Sequence, residues 1–449
     1  MKVVNRQEPW LLLIGDVLVF VASLWLTLFF RNKEMPAEAI FLDHLWPFSI
    51  LFVVWCGVFF ISGLYEKHTT SFKRHLPIRV IKTQIFNIFL AVAFFYFVPY
   101  FGITPKAVLF IYIAVSLTLI SLWRIYGQKI FGLAVRERAL LLGRGKEMTL
   151  LLEEINGNPR YGLEFVLAFD LDKISEINFE SEIIKKIQSQ NISVVVMDLQ
   201  SENLKKNLSH FYDLLFSKIR FVNINSLYED IFDRVPLSLV GYDWFLENVS
   251  LASRPVYDMA KRTIDLLLAV LFMPVLFVAF TLVWLLKKLE DTRPIMIWQA
   301  RIGYNGAVIK IAKFRTWLYD DAGDEELKKK NHITRIGNFM RALRIDELPQ
   351  AWNVLKGDLS FIGPRPELPV LVKKYEAEIP YYGVRHLIKP GLSGWAQLRQ
   401  VNPPKHDPDY NETKTKLSYD LSYIKNRSLV LDLVIVLKTI KTVLSRSGK

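Results

Sequence analysis

Four long apolar stretches near the start of the chain set the strongest limit on its fold. They are Trp10–Phe30, Leu45–Tyr65, Ile85–Phe101 and Ala107–Trp123, and the only charge inside them is Asp16. Each has the roughly 17–25 residues that a helix needs to cross the hydrocarbon of a bilayer. No small-residue cleavage site follows the first, so it reads as a retained span and not as a signal peptide. Asp16 reads as a helix-start carboxylate paired with a neighbouring helix, in preference to part of an ion path. Lys67, Lys73, Arg74, Arg79 and Lys82 follow the second stretch, and Arg124, Lys129, Arg136 and Arg138 follow the fourth. The other connections are poorer, with Arg31 and Lys33 in one and Lys106 in the other. The bias of Lys and Arg toward the inside then puts the N-terminus, and everything from about residue 124, in the cytoplasm.

Composition separates this chain from a wholly soluble one. Of 449 residues, 51% are hydrophobic and 22% charged, which points to part membrane and part soluble protein. The net charge of +13 suits an anionic membrane face or phosphate-bearing substrates, and nucleic acid is not expected. The single cysteine, Cys56, excludes an internal disulfide framework and a Cys-based zinc site.

From Arg138 the pattern changes to alternating strand and helix. Strand-like runs at Arg138–Gly143, Glu164–Asp170, Ile192–Leu199 and Arg220–Ile224 are separated by helical patterns through Leu150–Ile155, Ile183–Gln190 and Leu204–Leu215. Such alternation predicts a parallel sheet. Gly143-Arg-Gly145-Lys-Glu-Met148 stands where a dinucleotide loop would lie, but its third glycine is missing. A degenerate Rossmann-like domain used for regulation or assembly fits better than one that binds nucleotide.

Leu266–Leu286 is a fifth apolar stretch of 21 uncharged residues. Lys261 and Arg262 precede it, and Lys287, Lys288 and Arg293 follow. Both ends are basic, so both are drawn to the cytoplasmic side. Pro274 near its middle removes a helix hydrogen bond. These two features predict a helix–break–helix hairpin dipping into one leaflet, in preference to a fifth span. The apolar Leu429–Leu444, interrupted by Asp432, Lys438 and Lys441, predicts an interfacial amphipathic helix.

Chemistry-bearing residues gather in the last third. Arg301-Ile-Gly303-Tyr-Asn-Gly306 and Val308–Trp317 predict a hairpin turn and a strand. Lys313 and Arg315 are two apart, share a strand face and would make a phosphate clamp. Helical spacing recurs at Ile336, Phe339, Met340 and Leu343, and again at Leu348, Ala351, Trp352 and Leu355. Pro349 belongs in a first turn, so the second helix is expected to start near Asp346. There the helix dipole favours a carboxylate and an incoming phosphate. An isolated Asp at this place would be a plain N-cap. Arg341 and Arg344 upstream and Gly363-Pro-Arg365-Pro366-Glu367 downstream favour a functional role. Arg365, held between two prolines, suits a pre-placed anion ligand.

These pieces together resemble the bacterial sugar transferase family, the polyprenyl-phosphate phosphoglycosyl transferases. The resemblance rests on Lys313-Phe-Arg-Thr, Asp346–Ser360, Gly363-Pro-Arg-Pro366, Lys389–Gln397 and Tyr423-Ile-Lys-Asn426, in that order. It is specific from Lys261 to about Leu444. The spans and the α/β segment resemble the long form of the family, which begins O-antigen, capsule or exopolysaccharide assembly. The family implies transfer of a sugar 1-phosphate from a UDP-sugar to undecaprenyl phosphate, with UMP released, at the cytoplasmic membrane. It implies Asp346 as nucleophile and metal ligand, Glu347 as its acidic partner and Mg²⁺ as the metal. It also implies Lys313, Arg315, Arg341 and Arg365 as phosphate-handling cations, Pro274 as the hairpin break, membrane lipid as partner and a homodimer. Trp317, Arg344 and the run Leu398–Pro404 depart from the family pattern and bear on sugar identity more than on reaction type.

The expected architecture is an α-helical membrane bundle over 1–130 and an α/β Rossmann-like domain over 137–250. A mainly α monotopic catalytic domain follows over 255–449, with a re-entrant membrane hairpin at 264–288. Two other readings compete. A membrane-bound nucleotide-sugar dehydratase or epimerase would need an intact glycine loop, which Met148 breaks. A scaffold for polysaccharide export would leave the cluster of Asp346, Glu347 and arginines unexplained.

Overall fold

The computed structural model describes residues 7–65, 72–98, 106–127, 136–158, 161–176, 183–217, 219–249, 254–290, 293–318, 332–400 and 409–444. The chain forms two compact units, Met1–Phe232 and Asp233–Lys449.

The first unit begins with helices α1 (Gln7–Asn32), α2 (Glu38–Ile61), α3 (Phe72–Phe97) and α4 (Lys106–Leu122). Among the described residues, five helices are long and apolar enough to cross a membrane, these four and one spanning Pro255–Lys288. The third span differs from the sequence expectation. The helix already includes Lys73, Arg74, Arg79 and Lys82, which were read as loop, while residues 99–101 lie outside the described ones. Aromatic side chains build the bundle core. Phe20 meets Trp55 at 5.2 Å and Phe48 meets Tyr112 at 5.0 Å between ring centroids. Asp16 is fully buried and is paired, as expected, across helices: it forms an ion pair with Arg124 and accepts from the Tyr65 hydroxyl at 2.7 Å. Arg124 also donates to the Leu64 carbonyl at 2.9 Å. One buried pair thus ties the start of α1 to the ends of α2 and α4. Removing one partner of such a pair costs ~3–5 kcal/mol, because the other charge is left without compensation.

The rest of this unit is a four-stranded sheet made by β1 (Glu137–Gly143), β2 (Leu163–Asp170), β3 (Val194–Met197) and β4 (Arg220–Asn223). The order is β2-β1-β3-β4 and every pairing is parallel. The strands carry continuous apolar runs such as Ala139–Leu142 and Val194–Met197, all buried, as strands covered on both faces require. Helix α5 (Gly145–Gly157) starts where the glycine loop was expected. Arg144, just before it, reaches the buried Asp198 at the end of β3 at 3.1 Å.

The second unit begins earlier than the expected boundary at 250. Val235, Val240 and Trp244 belong to one core with Val372, Tyr382, Trp395 and Leu421. This segment buries its apolar side chains against the C-terminal elements, so the change of unit falls at Asp233. Helix α6 (Pro255–Glu290) follows, then an antiparallel hairpin of β5 (Met296–Ile302) and β6 (Val308–Phe314), joined by a turn with Asn305 and Gly306 at positive φ. Next come α7 (Arg335–Ala342), α8 (Gln350–Lys356) and β7 (Ser360–Ile362), which pairs in parallel with β8 (Gly391–Ser393). The chain ends with α9 (Tyr410–Asn426) and α10 (Leu429–Leu444).

Helix α6 corrects the expected helix–break–helix at 264–288. It is one helix of 36 residues with Pro274 inside it. The proline costs hydrogen bonding, but the face that packs on the domain is continuous across it. Asp265 accepts from the Phe361 amide at 3.1 Å, and Ala269 packs with Ile311, Val354 and Leu359. Leu276 and Val283 pack with Phe314 and Met340, and Lys287 donates to Thr334 Oγ1 at 3.0 Å. Positions 265, 269, 276, 283 and 287 fall on one helix face. The opposite face exposes Leu267, Val270, Leu271, Phe277 and Val278.

Candidate active site

The turn that carries Asp346 and Glu347 lies between α7 and α8. Thr334 caps α7 by accepting from the Gly337 amide at 3.0 Å. Gly337 has no substitute there, since a Cβ would lie 2.1 Å from the Thr316 carbonyl oxygen. The helix stops after Ala342, and Arg344 takes a left-handed conformation at φ 55°. A 3-10 turn, Ile345–Glu347, follows. The expectation that Asp346 opens the next helix is corrected: α8 begins at Gln350, after Leu348 and Pro349. The inward face of α8 is also displaced. It buries Gln350, Ala351, Asn353 and Val354, and Trp352 is exposed.

Asn353 explains the phase. Its side chain accepts from the Ala312 amide at 3.0 Å and donates to the Lys310 carbonyl at 2.7 Å, as a neighbouring strand would. Arg262 of α6 closes the other end of α8 by donating to the Val354 and Leu355 carbonyls at 2.7 and 2.9 Å. Orphan carbonyls at a helix end need such partners.

The two adjacent carboxylates have different surroundings. Glu347 accepts from Arg365 at 2.7 Å, and Lys313 and Arg344 stand at 3.7 and 3.5 Å. Among the described residues, no cation forms an ion pair with Asp346. Burial works to raise the Glu347 carboxyl, but Arg365 and Lys313 outweigh it and hold it at about 2. Burial first, then the charge on Glu347, push the Asp346 carboxyl above its usual range, against Lys313 and Arg341. Burial, together with Arg365 and Arg301, pushes Lys313 below its usual range, against the pull of Glu347.

The other expected cations divide. Arg365 reaches the site between its prolines and faces Glu347. Arg341 donates to Thr316 Oγ1 at 3.0 Å and lies over the Trp317 ring at 5.3 Å. Arg315 lies just beyond the end of β6, and its guanidinium serves the main chain. It donates to the Pro294, Trp317 and Leu318 carbonyls at 2.7, 3.0 and 2.6 Å. The structure therefore makes it a tie between loops and does not pair it with Lys313. Pro274 lies within α6, away from this turn in sequence. Residues 401–404 of the Leu398–Pro404 run lie outside the described ones.

Sequence reasoning missed the charges behind Arg365. Arg385 is buried, donates to the Arg365 carbonyl at 2.9 Å and pairs with Asp420 at 2.8 Å. Glu367 pairs with Lys416, and Arg385 stands 3.9 Å from it. Burial would raise Glu367, but Lys416 and Arg385 hold it at about 2. Arg301 adds charge near the same carboxylates. One signal was readable: Asp420 interrupts the buried stripe of Thr413, Leu417, Leu421 and Ile424 on α9, and a buried charge calls for a partner.

Residues 256–446 match the family model described as bacterial sugar transferase. The chain is 38% identical over 264 residues to an Aeromonas hydrophila protein named UDP-N-acetylgalactosamine-undecaprenyl-phosphate N-acetylgalactosaminephosphotransferase, covering 57% of this chain and 59% of that one. It is 36% identical to a Caulobacter vibrioides UDP-glucose:undecaprenyl-phosphate glucose-1-phosphate transferase, over 43% of this chain and 72% of that one. It is 35% identical to the exopolysaccharide production protein ExoY of Sinorhizobium fredii, over 46% of this chain and 94% of that one. This chain belongs to the bacterial sugar transferase family. The matched part of the Aeromonas protein is less than two thirds of its length. Asp346, Glu347, Lys313 and Arg365 all lie inside the stretch that matches the family.

Proposed function

We propose that this chain transfers a sugar 1-phosphate from a UDP-sugar to undecaprenyl phosphate, releasing UMP, at the cytoplasmic face of the bacterial inner membrane. The product would be the first lipid-linked sugar of an O-antigen, capsule or exopolysaccharide. One observation carries the mechanism: two adjacent carboxylates, of which Glu347 is held by Arg365 and Lys313 while Asp346 forms no ion pair among the described residues. The names of the relatives supply the substrate class.

In the first step, an Asp346 oxygen attacks the β-phosphorus of the UDP-sugar. The bond from that phosphorus to the bridging oxygen breaks, and UMP leaves with the electron pair. In the second step, an oxygen of the lipid phosphate attacks the same phosphorus and displaces Asp346. Donor and acceptor then use one pocket in turn. Like charges oppose the first step, at ~4 kcal/mol per pair of unit charges at 4 Å and an effective dielectric of 20. Lys313 and Arg365 offset this at the oxygens of the transferring phosphoryl group. The donor set fits Mg²⁺ in a restricted way. Among the described residues no group of three metal-binding side chains occurs, so Asp346 and substrate phosphates would hold the ion, a common Mg²⁺ arrangement. Bound there, it would neutralise developing phosphate charge.

Placement at one membrane face draws support from α6. Both ends dock on the same polar domain, through Arg262 and Lys287, and both flanks are basic. A crossing helix would carry that domain into hydrocarbon. The test is UMP release by the full chain with undecaprenyl phosphate and a panel of UDP-sugars. Incubation with the right UDP-sugar alone should leave about one equivalent of UMP and a sugar-phosphate adduct on Asp346. Kinetics that demand a ternary complex, with no adduct, would reassign Asp346 as a metal ligand or general base.

A further inference from the structure

A cavity of about 440 Å³ lies at the start of α6. None of Asp346, Glu347, Lys313 or Arg365 lines it. Its volume is within the range of small-ligand sites. Four cations line it, Lys261, Arg262, Lys389 and Arg427, with Tyr257 and Tyr304 among the aromatic walls and Asp258 and Asp265 as the carboxylates.

The cations are unequally committed. Arg262 is bonded to the end of α8, and Lys261 donates to Asp432 at 2.7 Å and to the Tyr423 hydroxyl at 3.2 Å. The Lys389 ammonium has no hydrogen-bond or ion-pair partner among the described residues and is exposed. The Arg427 guanidinium lies over the Tyr257 ring at 5.9 Å, which leaves its edge donors for a ligand. Asp265 is occupied by the Phe361 amide, and Asp258 is exposed. So two uncommitted cations face a cavity whose walls already hold two more.

The surroundings specify what kind of anion. The apolar exposed face of α6 runs past the cavity with Ile264, Leu267, Val270 and Leu271. The exposed Leu429, Val430 and Leu433 of α10 begin two residues past Arg427. A cationic, tyrosine-walled cavity where two exposed apolar surfaces start suits a phosphate head with a hydrocarbon tail, as basic pockets at membrane surfaces do. The geometry points to a second lipid-phosphate site here, with Lys389 and Arg427 on the phosphate and the tail along α6 and α10. It deepens the proposed function by giving the protein a place to hold an anionic lipid apart from the reactive turn.

The test uses the full chain in detergent and measures binding of undecaprenyl phosphate, of phosphatidylglycerol, of phosphatidylcholine and of inorganic phosphate. The proteins are the natural chain, the Lys389→Gln/Arg427→Gln pair, Lys389→Glu alone, and Asp346→Asn. The double variant should bind the anionic lipids about tenfold more weakly, since charge-assisted hydrogen bonds are lost, and Lys389→Glu should do the same. Selective loss of undecaprenyl phosphate marks a site for the acceptor, and equal loss of both anionic lipids marks a general headgroup site; both support the assignment. Unchanged lipid affinity in both variants overturns it. So does inorganic phosphate binding as tightly as the lipids, which would make this a free-anion site. Asp346→Asn keeps this binding whether or not Asp346 is the nucleophile, so failure of the lipid site and failure of the covalent mechanism are read separately.

Discussion

Glu347→Gln tests the charge arrangement of the reactive turn through stability as well as rate. The carboxylate is held at about 2, against an ordinary value of 4.5, by Arg365 at 2.7 Å and Lys313 at 3.7 Å, with burial opposing them. At about 1.4 kcal/mol per pH unit, that difference is about 3.5 kcal/mol of folding free energy. The folded value is depressed, so this contribution is complete above the unfolded value near 4.5. It is lost as pH falls toward 2, and about half has gone near pH 3.3. At pH 7 the variant should therefore melt about 7–14 °C below the natural chain, given about 2–4 °C per kcal/mol for a domain of this size. The gap should narrow steadily from pH 5 to pH 3, because the natural chain loses what the variant never had. Thermal unfolding of the full chain in detergent, followed by tryptophan fluorescence across that range, reads both features. Glu367 titrates in the same window but is common to both proteins, so it cancels from the gap. A variant that melts within about 2 °C of the natural chain at pH 7, or a gap that does not change with pH, would refute the reasoning.

Asp346→Asn should abolish UMP release yet raise the melting temperature at pH 7, since it removes a carboxylate that burial and Glu347 both destabilise; a lower melting temperature would count against this account of the site. Arg315→Ala should lower stability by about 2–4 kcal/mol, because three main-chain carbonyls lose a charged donor. Its KM for UDP-sugar should stay unchanged, whereas Arg365→Ala should raise KM; steady-state kinetics beside denaturant unfolding separate the two. In a Cys56→Ser background, single cysteines at Asp258 and Lys288 should react with an impermeant thiol reagent from the same side of sealed vesicles. Labelling from opposite sides would make α6 a span.

Elements whose periodicity came from local burial were readable from residues alone. The strands Glu137–Gly143 and Leu163–Asp170 lie within a residue of their expected bounds, and α10 begins and ends where its apolar pattern does. Alternation and amphipathicity record which face is covered, and that is all these elements needed. Misreadings came where a single long-range partner decides. Lys313 and Arg315 are two apart, but β6 ends at Phe314 and the Arg315 guanidinium is taken by carbonyls of Pro294, Trp317 and Leu318. Face-sharing holds only inside a strand. Asp432 was read as an interruption of an interfacial helix, yet it accepts from Tyr257, Lys261 and Tyr423 and pins α10 to α6. Two of these partners, Tyr257 and Lys261, lie in another part of the chain, where no periodicity can show them. The continuity of α6 through Pro274 has the same origin, because contacts along its whole inner face were invisible before the domain was built.

On the proposed function, helix α6 joins anchoring to chemistry. Val283 and Leu276 on its inner face pack in one cluster with Phe314, Met340 and Ile345. Phe314 follows Lys313, and Ile345 precedes Asp346, so the helix supports the elements that carry both Lys313 and Asp346. From Ala269 to Val283 the axis rises about 21 Å, and a helix with its side chains is about 10–12 Å across. Phe277 and Val278 are exposed on the far side of this same length. On the proposed placement, the lipid surface and the reactive turn are therefore separated by about one helix diameter. A lipid phosphate can then approach Asp346 with its head at the membrane surface and its tail still in hydrocarbon. A turn rooted on a loop remote from α6 would instead need the acceptor to leave the bilayer, at about 0.8 kcal/mol for every CH₂ exposed. On the proposed placement, packing the turn of Asp346 against α6, whose inner face stays packed from Asp265 to Lys287, avoids that cost.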